Sequence, residues 1–460
     1  MGTKRESDFS KRQASLLPAL KLLTTHLTQE LCKAVFQKVR LAERDRKWSL
    51  TALVMFWTEV VIRAPQSLTQ ALQEVAAGMG RLTPSVEATT EAFFEKCKAM
   101  RPDFFLGVLE GFIRSILPVS RCTFSADTSS LLKRFGAVVI LDGSRLEAIR
   151  HRLKILWDQR AVILPGCITA LYDLHRGILR RLEFCRDAAA GEIRRAEQLL
   201  ENAMAAGALV AGSLIVADRY YCTAQFFQFL GRMNLFGVFR RKRSLHLRKQ
   251  RRLRKSRRNG VRIEEWLVVT GLSPKTPIVT LRWIRIRLPR RQVFEILTNV
   301  LDPQRLSAEE ALTLYRDRWS IERMLYDLKV VLNLNRIYAA NTNAVAMQVY
   351  ASAIVYCALR VAQSQVAQDA QLAPDQISSH KFFCRFTAVA GYYWMAERYF
   401  IRVCERNRRV RIFKPTWTGE AFASVNVADI LCESRTSVRR KRRFCKARRR
   451  WKSLSRFQTS

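Results

Sequence analysis

Two short apolar runs constrain this chain most: "AVVILDGS" at 137–144 and "SLIVADRYY" at 213–221. Both are continuously apolar rather than alternating, the pattern of a strand covered on both faces, and each ends in an aspartate, Asp142 or Asp218. "RAVILPGCITALYDLHRGILRRLEFC" reads as two further strands joined at Arg176-Gly177. "AGEIRRAEQLLENAMAAG" reads as a helix with Ile193, Ala196, Leu199, Leu200, Ala203 and Met204 on one face. A helical "TAQFFQFLGRMN" and a strand "LFGVFRR" follow the second aspartate. The order strand, strand, strand, helix, strand, helix, strand implies a mixed α/β sheet. Both aspartates then sit at or just past a strand's carboxyl end, where sites collect in such sheets.

From about Lys11 to Val119 apolar residues recur at three and four, with breaks near Pro65 and Pro84, which predicts an all-helical region. Within it, "SLTQALQEVAAGMGRLTPSVEATTEAFF" fits a helix-turn-helix turning at Gly78 and Gly80, and fits an ordinary helix pair equally well. Beyond the α/β segment an insertion opens with 12 Lys or Arg and no acid between Arg240 and Arg258. It continues in β-like runs, one of them alternating apolar residues with Arg282, Arg285 and Arg287. Helices return after Lys329, and a second basic tract, "RRKRRFCKARRRWK", lies near the end. The expected organisation is a helical, DNA-end-binding domain at 1–130, an α/β core at 131–239 and 305–365, a basic β-rich insertion at 240–304, and a helical C-terminal region with a basic tail at 366–460. One or both basic tracts are expected to touch DNA or RNA.

The chain has 460 residues, 48% hydrophobic, enough for a large core in more than one packed unit. Lys plus Arg number 80 against 39 Asp plus Glu, a formal charge of +41. Phosphate backbone neutralises such a surplus with favourable counterion release, so nucleic acid is the first partner to consider. A basic ribosomal or histone-like binder shares that charge but not the Val/Ile/Leu-rich core. The 11 Cys form no C-x-x-C pair and the 5 His show no metal-ligand spacing, which argues for a reducing compartment and against a zinc site. The start, "MGTKRESDFSKRQ", leads into no signal-type apolar core, and the apolar stretch Ala344 to Leu359 is short of a membrane span and carries Gln348. A cytoplasmic protein that engages no membrane is expected.

On a helix, "YRDRWSIERMLYDLK" at 315–329 places Tyr315, Arg318, Glu322 and Lys329 within a sector about 60° wide. Singly, Asp142, Asp218 and Glu322 have ordinary readings: a turn, a local ion pair, and an i,i+4 pair of Glu322 with Arg318. Together they meet one requirement of phosphodiester cleavage, in which two divalent ions about 4 Å apart activate the attacking oxygen and stabilise the leaving one. Mg²⁺ takes oxygen ligands, so carboxylates from two strand ends and a neighbouring helix suit it. Arg318 and Lys329 would then grip phosphate oxygens, and the Tyr315 hydroxyl a neighbouring phosphate.

These residues carry a family resemblance. Tyr315-x2-Arg318-x3-Glu322-x6-Lys329 matches without a gap the Y-x2-R-x3-E-x6-K signature of a large group of bacterial insertion-sequence DDE transposases. "VVILDGS" resembles that group's first-aspartate strand, and "LIVADRYY" its second, with the trailing Arg219 and aromatic residue. The resemblance runs from about Gly136 to Arg360. It implies an RNase H-like catalytic core interrupted by a β-rich insertion, with Asp142, Asp218 and Glu322 as catalytic and metal-binding residues for two Mg²⁺ ions that Mn²⁺ can replace. It further implies double-stranded DNA as partner, both transposon ends and target, and a homodimer in a synaptic complex. Cutting would occur at terminal inverted repeats, through a hairpin end, with strand transfer by the freed 3′-hydroxyl. Tyr315, Arg318, Lys329 and Arg219 would contact DNA, and Trp283 or Trp266 would hold a flipped base. The rivals are another RNase H-like nuclease, which would lack the helix signature, and an inactive or domesticated copy that only binds DNA.

Overall fold

The computed structural model describes residues 13–15, 17–39, 47–80, 82–120, 129–146, 166–187, 191–258, 260–271, 276–288, 292–339, 341–386 and 424–426. The second basic tract lies outside the described residues.

Six helices open the fold: α1 (Leu17–His26), α2 (Gln29–Val39), α3 (Leu50–Arg63), α4 (Leu68–Ala76), α5 (Thr90–Ala99) and α6 (Pro102–Ile116). Their starts are encoded locally, since Ser49, Ser67 and Thr89 accept the backbone N–H groups of Ala52, Gln70 and Ala92 and so satisfy otherwise orphaned donors. α3 stops just before Pro65, with Ala64 in the left-handed region at φ 46°. Of the two readings open for this segment the helix-turn-helix fails: α4 does close in a turn at Gly78, at φ 68° with its N–H 3.0 Å from the Val75 carbonyl, but α5 does not follow directly. Residues 77–89 form a longer connection, tied to α3 by Glu59, which accepts the N–H groups of Leu82 and Thr83 at 3.0 Å each and pairs with Arg63 at 2.9 Å.

The α/β segment supplies β1 (Val138–Arg145), β2 (Cys167–Asp173), β3 (Ile178–Cys185), α7 (Glu192–Ala205), β4 (Leu214–Ala217), α8 (Ala224–Arg232) and β5 (Phe236–Arg240). The first three strands form an antiparallel meander, and β4 and β5 run parallel to β1, giving the order β3-β2-β1-β4-β5. The two antiparallel strands turn where expected: Gly177, at φ 68°, donates to the Asp173 carbonyl at 2.8 Å. Helices α7 and α8 cover one face through Ala196, Leu199, Leu200, Phe226, Phe227 and their neighbours. This mixed, helix-flanked sheet fits an RNase H-like core.

The insertion does not fold apart. Its strands β6 (Arg248–Arg258), β7 (Val261–Val269), β8 (Thr280–Arg287) and β9 (Val293–Thr298) continue the core sheet, because β9 pairs with β5 and places Thr298 opposite Val238. The result is one nine-stranded sheet in the order β3-β2-β1-β4-β5-β9-β8-β7-β6. The basic run itself makes the outermost strand, an assignment that composition hides because Lys and Arg are poor strand formers away from an edge. Arg282 also departs from the simple alternation: it is fully buried, with Nε 2.8 Å and Nη2 2.7 Å from Glu265. Its Nη1 donates to the carbonyls of Val300, Asp302 and Leu306 at 3.4, 3.3 and 2.7 Å, fastening the loop that leads to the next helix.

That helix, α9 (Ala308–Asp317), starts in a capping box of Ser307 and Glu310. α10 (Trp319–Tyr326) continues it after Arg318, and a π turn, Asp327–Val331, ends the run. α11 (Thr342–Asp369) is long and apolar enough to cross a membrane by length and composition, but its apolar window is wholly buried inside the protein. It packs against α1, α3, α6 and β3, which makes the N-terminal helices and the α9 side of the sheet one continuous core. Gln348 within it bonds the Tyr338 N–H and the Arg336 carbonyl at 3.2 and 2.8 Å, so burial leaves its amide satisfied.

Candidate active site

Strand periodicity aims the two aspartates. Val138 and Ile140 of β1, and Leu214 and Val216 of β4, pack into the core on the α9–α11 side, and two-residue alternation carries Asp142 and Asp218 to that same side. The parallel register sets Ile140 opposite Val216, two residues before each aspartate, so both carboxylates leave adjacent strands at one level. Asp218 stays extended, at φ −71° and ψ 166°, and caps a short 3-10 turn over Arg219–Tyr221.

α9 and α10 bring the third acid. Tyr315 Oη donates to Asp218 Oδ1 at 3.3 Å, Arg318 Nη2 donates to Glu322 Oε1 at 2.9 Å, and Arg318 Nη1 stands 3.9 Å from Asp142 Oδ2. Arg318 lies under the Trp319 and Tyr315 rings at 5.6 and 5.8 Å, and is buried, whereas Glu322 is about a third exposed. The expected ion pair of Arg318 with Glu322 therefore exists, but the same guanidinium also faces Asp142. Lys329, in the π turn, donates to Ser144 Oγ at 2.6 Å and to the Arg145 carbonyl at 2.7 Å, tying this helical run to the end of the first-aspartate strand. A wide turn there lets Lys329 point at β1, and π turns recur at functional positions.

Burial, and then the like charges of Glu192 and Glu322, push the Asp142 carboxyl up to about 6, against the Gly143 N–H bond and Arg318. Burial and the neighbouring Asp218 likewise raise the Tyr315 hydroxyl. Glu192 was not singled out by its sequence. At the first position of α7 it accepts a 2.7 Å bond from the buried Tyr221 hydroxyl, and a side chain at Gly143 would meet its Oε1 at 3.5 Å. An acid in a helix's first turn is too common a pattern to mark it.

The other expected DNA contacts differ in setting. Arg219 is exposed beside Asp218. Trp283 is 7% exposed and faces Arg241 at 4.8 Å and Lys249 at 5.1 Å, while Trp266, directly opposite it on β7, is covered by Lys249 at 4.4 Å. Among the described residues no three His, Cys, Asp or Glu converge at metal-holding distance, and Arg318 stands between Asp142 and Glu322. The donor set nevertheless suits a divalent cation: all oxygen, from separate elements, with one carboxyl that burial, more than its acidic neighbours, inclines to stay protonated until a cation compensates it.

Comparison with known proteins places this segment in context. Residues 135–358 match the family described as the transposase DDE domain. The chain is 29% identical over 160 residues to a protein of Sinorhizobium fredii named as a transposase, y4zB, covering 34% of this chain and 44% of that one. It is 35% identical over 72 residues to a Synechocystis protein named as the transposase for insertion sequence element IS4SA, covering 15% of this chain and 21% of that one. The chain thus spans less than half the length of these relatives in either match. A cryo-EM structure of the piggyBac transposase synaptic complex with hairpin DNA overlaps 87% of this chain and 86% of that one, at 10% identity and a TM-score of 0.36, too loosely to bear on the fold. The segment 135–358, which holds both strand-end aspartates, Glu322 and Lys329, is thus similar to the transposase DDE domains of insertion-sequence proteins.

Proposed function

We propose that the chain is a metal-dependent DNA transposase acting on the terminal inverted repeats of its element, with Asp142, Asp218 and Glu322 as the catalytic acids. The observation that most supports this reading is the linkage of all three acids through two residues of one helical run: Tyr315 to Asp218, and Arg318 to Glu322 and Asp142. The three carboxylates would hold two Mg²⁺ ions, which when bound activate the attacking oxygen and stabilise the leaving one. Arg318, released from Glu322, is placed to hold a phosphate oxygen, and its rigid fork suits that ligand better than a lysine would. Lys329 fixes the end of β1 and offers a second positive charge to the DNA backbone, while Tyr315 holds Asp218 in its rotamer. Each step exchanges one phosphodiester for another or for water, so hairpin formation and 3′-hydroxyl strand transfer need no nucleotide cofactor. The protein would work in the cytoplasm, as a homodimer that pairs two transposon ends.

Asp142→Ala and Glu322→Ala are expected to lower Mg²⁺-dependent cleavage of terminal-repeat DNA by about a thousandfold or more while electrophoretic binding persists. Lys329→Ala should weaken end binding by about tenfold, through lost phosphate and strand-end bonds. Full cleavage by either acid variant would end the assignment. Binding by the unaltered protein with no cleavage in Mg²⁺ or Mn²⁺ would favour a copy that only binds DNA.

A further inference from the structure

The nine-stranded sheet ends on one side in β6, which among the described residues pairs only with β7, so that its outer backbone edge has no partner strand there. A long edge strand is ordinarily an aggregation hazard, and proteins blunt such edges with charge and bulges. β6 has both: its register shifts between Lys249 and Arg251 and again between Arg252 and Arg254. Yet its charge exceeds what blunting needs. Arg248, Lys249, Arg251, Arg252, Arg254, Lys255 and Arg257 follow one another with no acid among them, and six of the seven have no ion pair within 4 Å among the described residues. Arg254 is the exception, reaching Glu265 at 3.6 Å and Glu309 at 3.3 Å.

Pairing fixes where these cations point, because cross-strand partners share a face. Arg252 stands opposite Trp266 and Lys249 opposite Val268, and both cations lie over the Trp266 ring, at 5.8 and 4.4 Å. Lys255 and Arg257 continue that face, while Arg248 and Arg251 flank Arg254 on the α9 side. Cations therefore line both faces of one edge strand, and because the bulges set Lys249, Arg252 and Lys255 opposite every second residue of β7, they follow one another at about 6.6 Å, close to the spacing of phosphates along a nucleic-acid strand. A surface of this shape and charge suits a duplex backbone followed lengthwise, without base readout.

The edge also has a fixed distance from the acids. Five strand steps separate β4 from β6, and at about 4.8 Å each they span about 24 Å. A second route agrees: Arg254 touches Glu309, and from there to Glu322 the helical run rises about 20 Å. We propose that β6 is a second duplex-DNA surface, separate from the Tyr315, Arg318 and Lys329 grip, which binds backbone phosphates about six to seven base pairs from the scissile bond. This rests on the transposase reading for the position of the scissile bond, but the binding itself does not depend on cleavage.

The test uses the full chain carrying Glu322→Gln, so that DNA is bound and not cut, with Arg248→Thr, Arg251→Thr and Arg257→Thr added together. Thr keeps strand propensity while removing charge. Fluorescence anisotropy with a 30-base-pair terminal-repeat duplex, titrated from 50 to 300 mM salt, gives the slope of log affinity against log salt. Loss of three phosphate contacts lowers that slope by about 2.7 and the affinity at 100 mM salt by at least about tenfold. Duplexes shortened stepwise on each side of the cleavage site should abolish the difference once one arm falls below about six base pairs, and the corresponding three Arg→Lys changes should restore the slope. An unchanged slope, or an equal loss with the shortest duplexes, overturns the proposal. So does tighter, β6-dependent binding of duplex RNA of the same sequence, which would assign the edge to RNA. If the unaltered protein fails to cleave DNA while the slope change is seen, the transposase reading falls and the surface stands.

Discussion

Arg282 and Arg318 both face carboxylates on the α9 side of the same sheet, yet their surroundings differ in a way that separates support from chemistry. Arg282 and Glu265 are both wholly buried, and the guanidinium also holds three loop carbonyls. Nothing in that arrangement can open without stranding a charge in a dry interior. Arg318 pairs with Glu322, which is 37% exposed, and stands at a loose 3.9 Å from Asp142. Water can take over Glu322, and Asp142 can take up a proton, so this pair can part when another cation or a phosphate arrives. The insertion's arginine thus fixes the helix start, and the core's arginine waits on the same helical run for a ligand.

Three substitutions probe that contrast. The largest effect belongs to Arg282→Met, which leaves the buried Glu265 with only the longer 3.6 Å contact to the half-exposed Arg254. Urea unfolding should show a loss of about 3–5 kcal/mol, much of it recovered by adding Glu265→Leu. A loss below about 1 kcal/mol would mean the pair is hydrated and the contrast is false.

Asp142→Asn comes next and has the opposite sign. The folded-state carboxyl is raised from 3.8 to about 6, so the folded form holds its proton more tightly than the unfolded one. The stability this contributes is complete below about pH 4 and is lost as pH rises through about 6. In metal-free buffer at pH 7.5, Asn should therefore stabilise the protein by about 1–2 kcal/mol, a gain that vanishes near pH 4. Thermal melts across that range would read it, and a destabilised variant at pH 7.5 would show that Asp142 is well solvated or already compensated.

The smallest effect is expected for Arg318→Gln. Glu322 can turn to solvent and Asp142 can take up a proton, so stability should change by less than about 1 kcal/mol in urea. A cost comparable with that of Arg282→Met would place the two arginines in one structural class.

Much of this was legible along the chain. The apolar runs ending in Asp142 and Asp218 marked buried strands, because a strand with two covered faces has no place for alternation. The turn at Gly177 and the buried face of α7 followed from local rules in the same way. The connection between α4 and α5 did not, since two glycines permit a tight turn without requiring one, and Glu59 from another helix favours the longer path. The basic strand β6 was hidden for a related reason: its charges oppose strand formation, and only pairing with β7 at an open edge makes the conformation acceptable.

By itself the sequence determined the elements other than β6, the sign of the charge and the spacing of Tyr315, Arg318, Glu322 and Lys329 on one helical path, because periodicity and side-chain chemistry act within a few residues. Tertiary structure alone decided that the insertion extends the core sheet, that Arg282 is a buried staple, that Glu192 stands beside Gly143, and that Arg318 faces two acids at once. Those outcomes depend on strand order and register, which join residues far apart in the chain and leave no local trace.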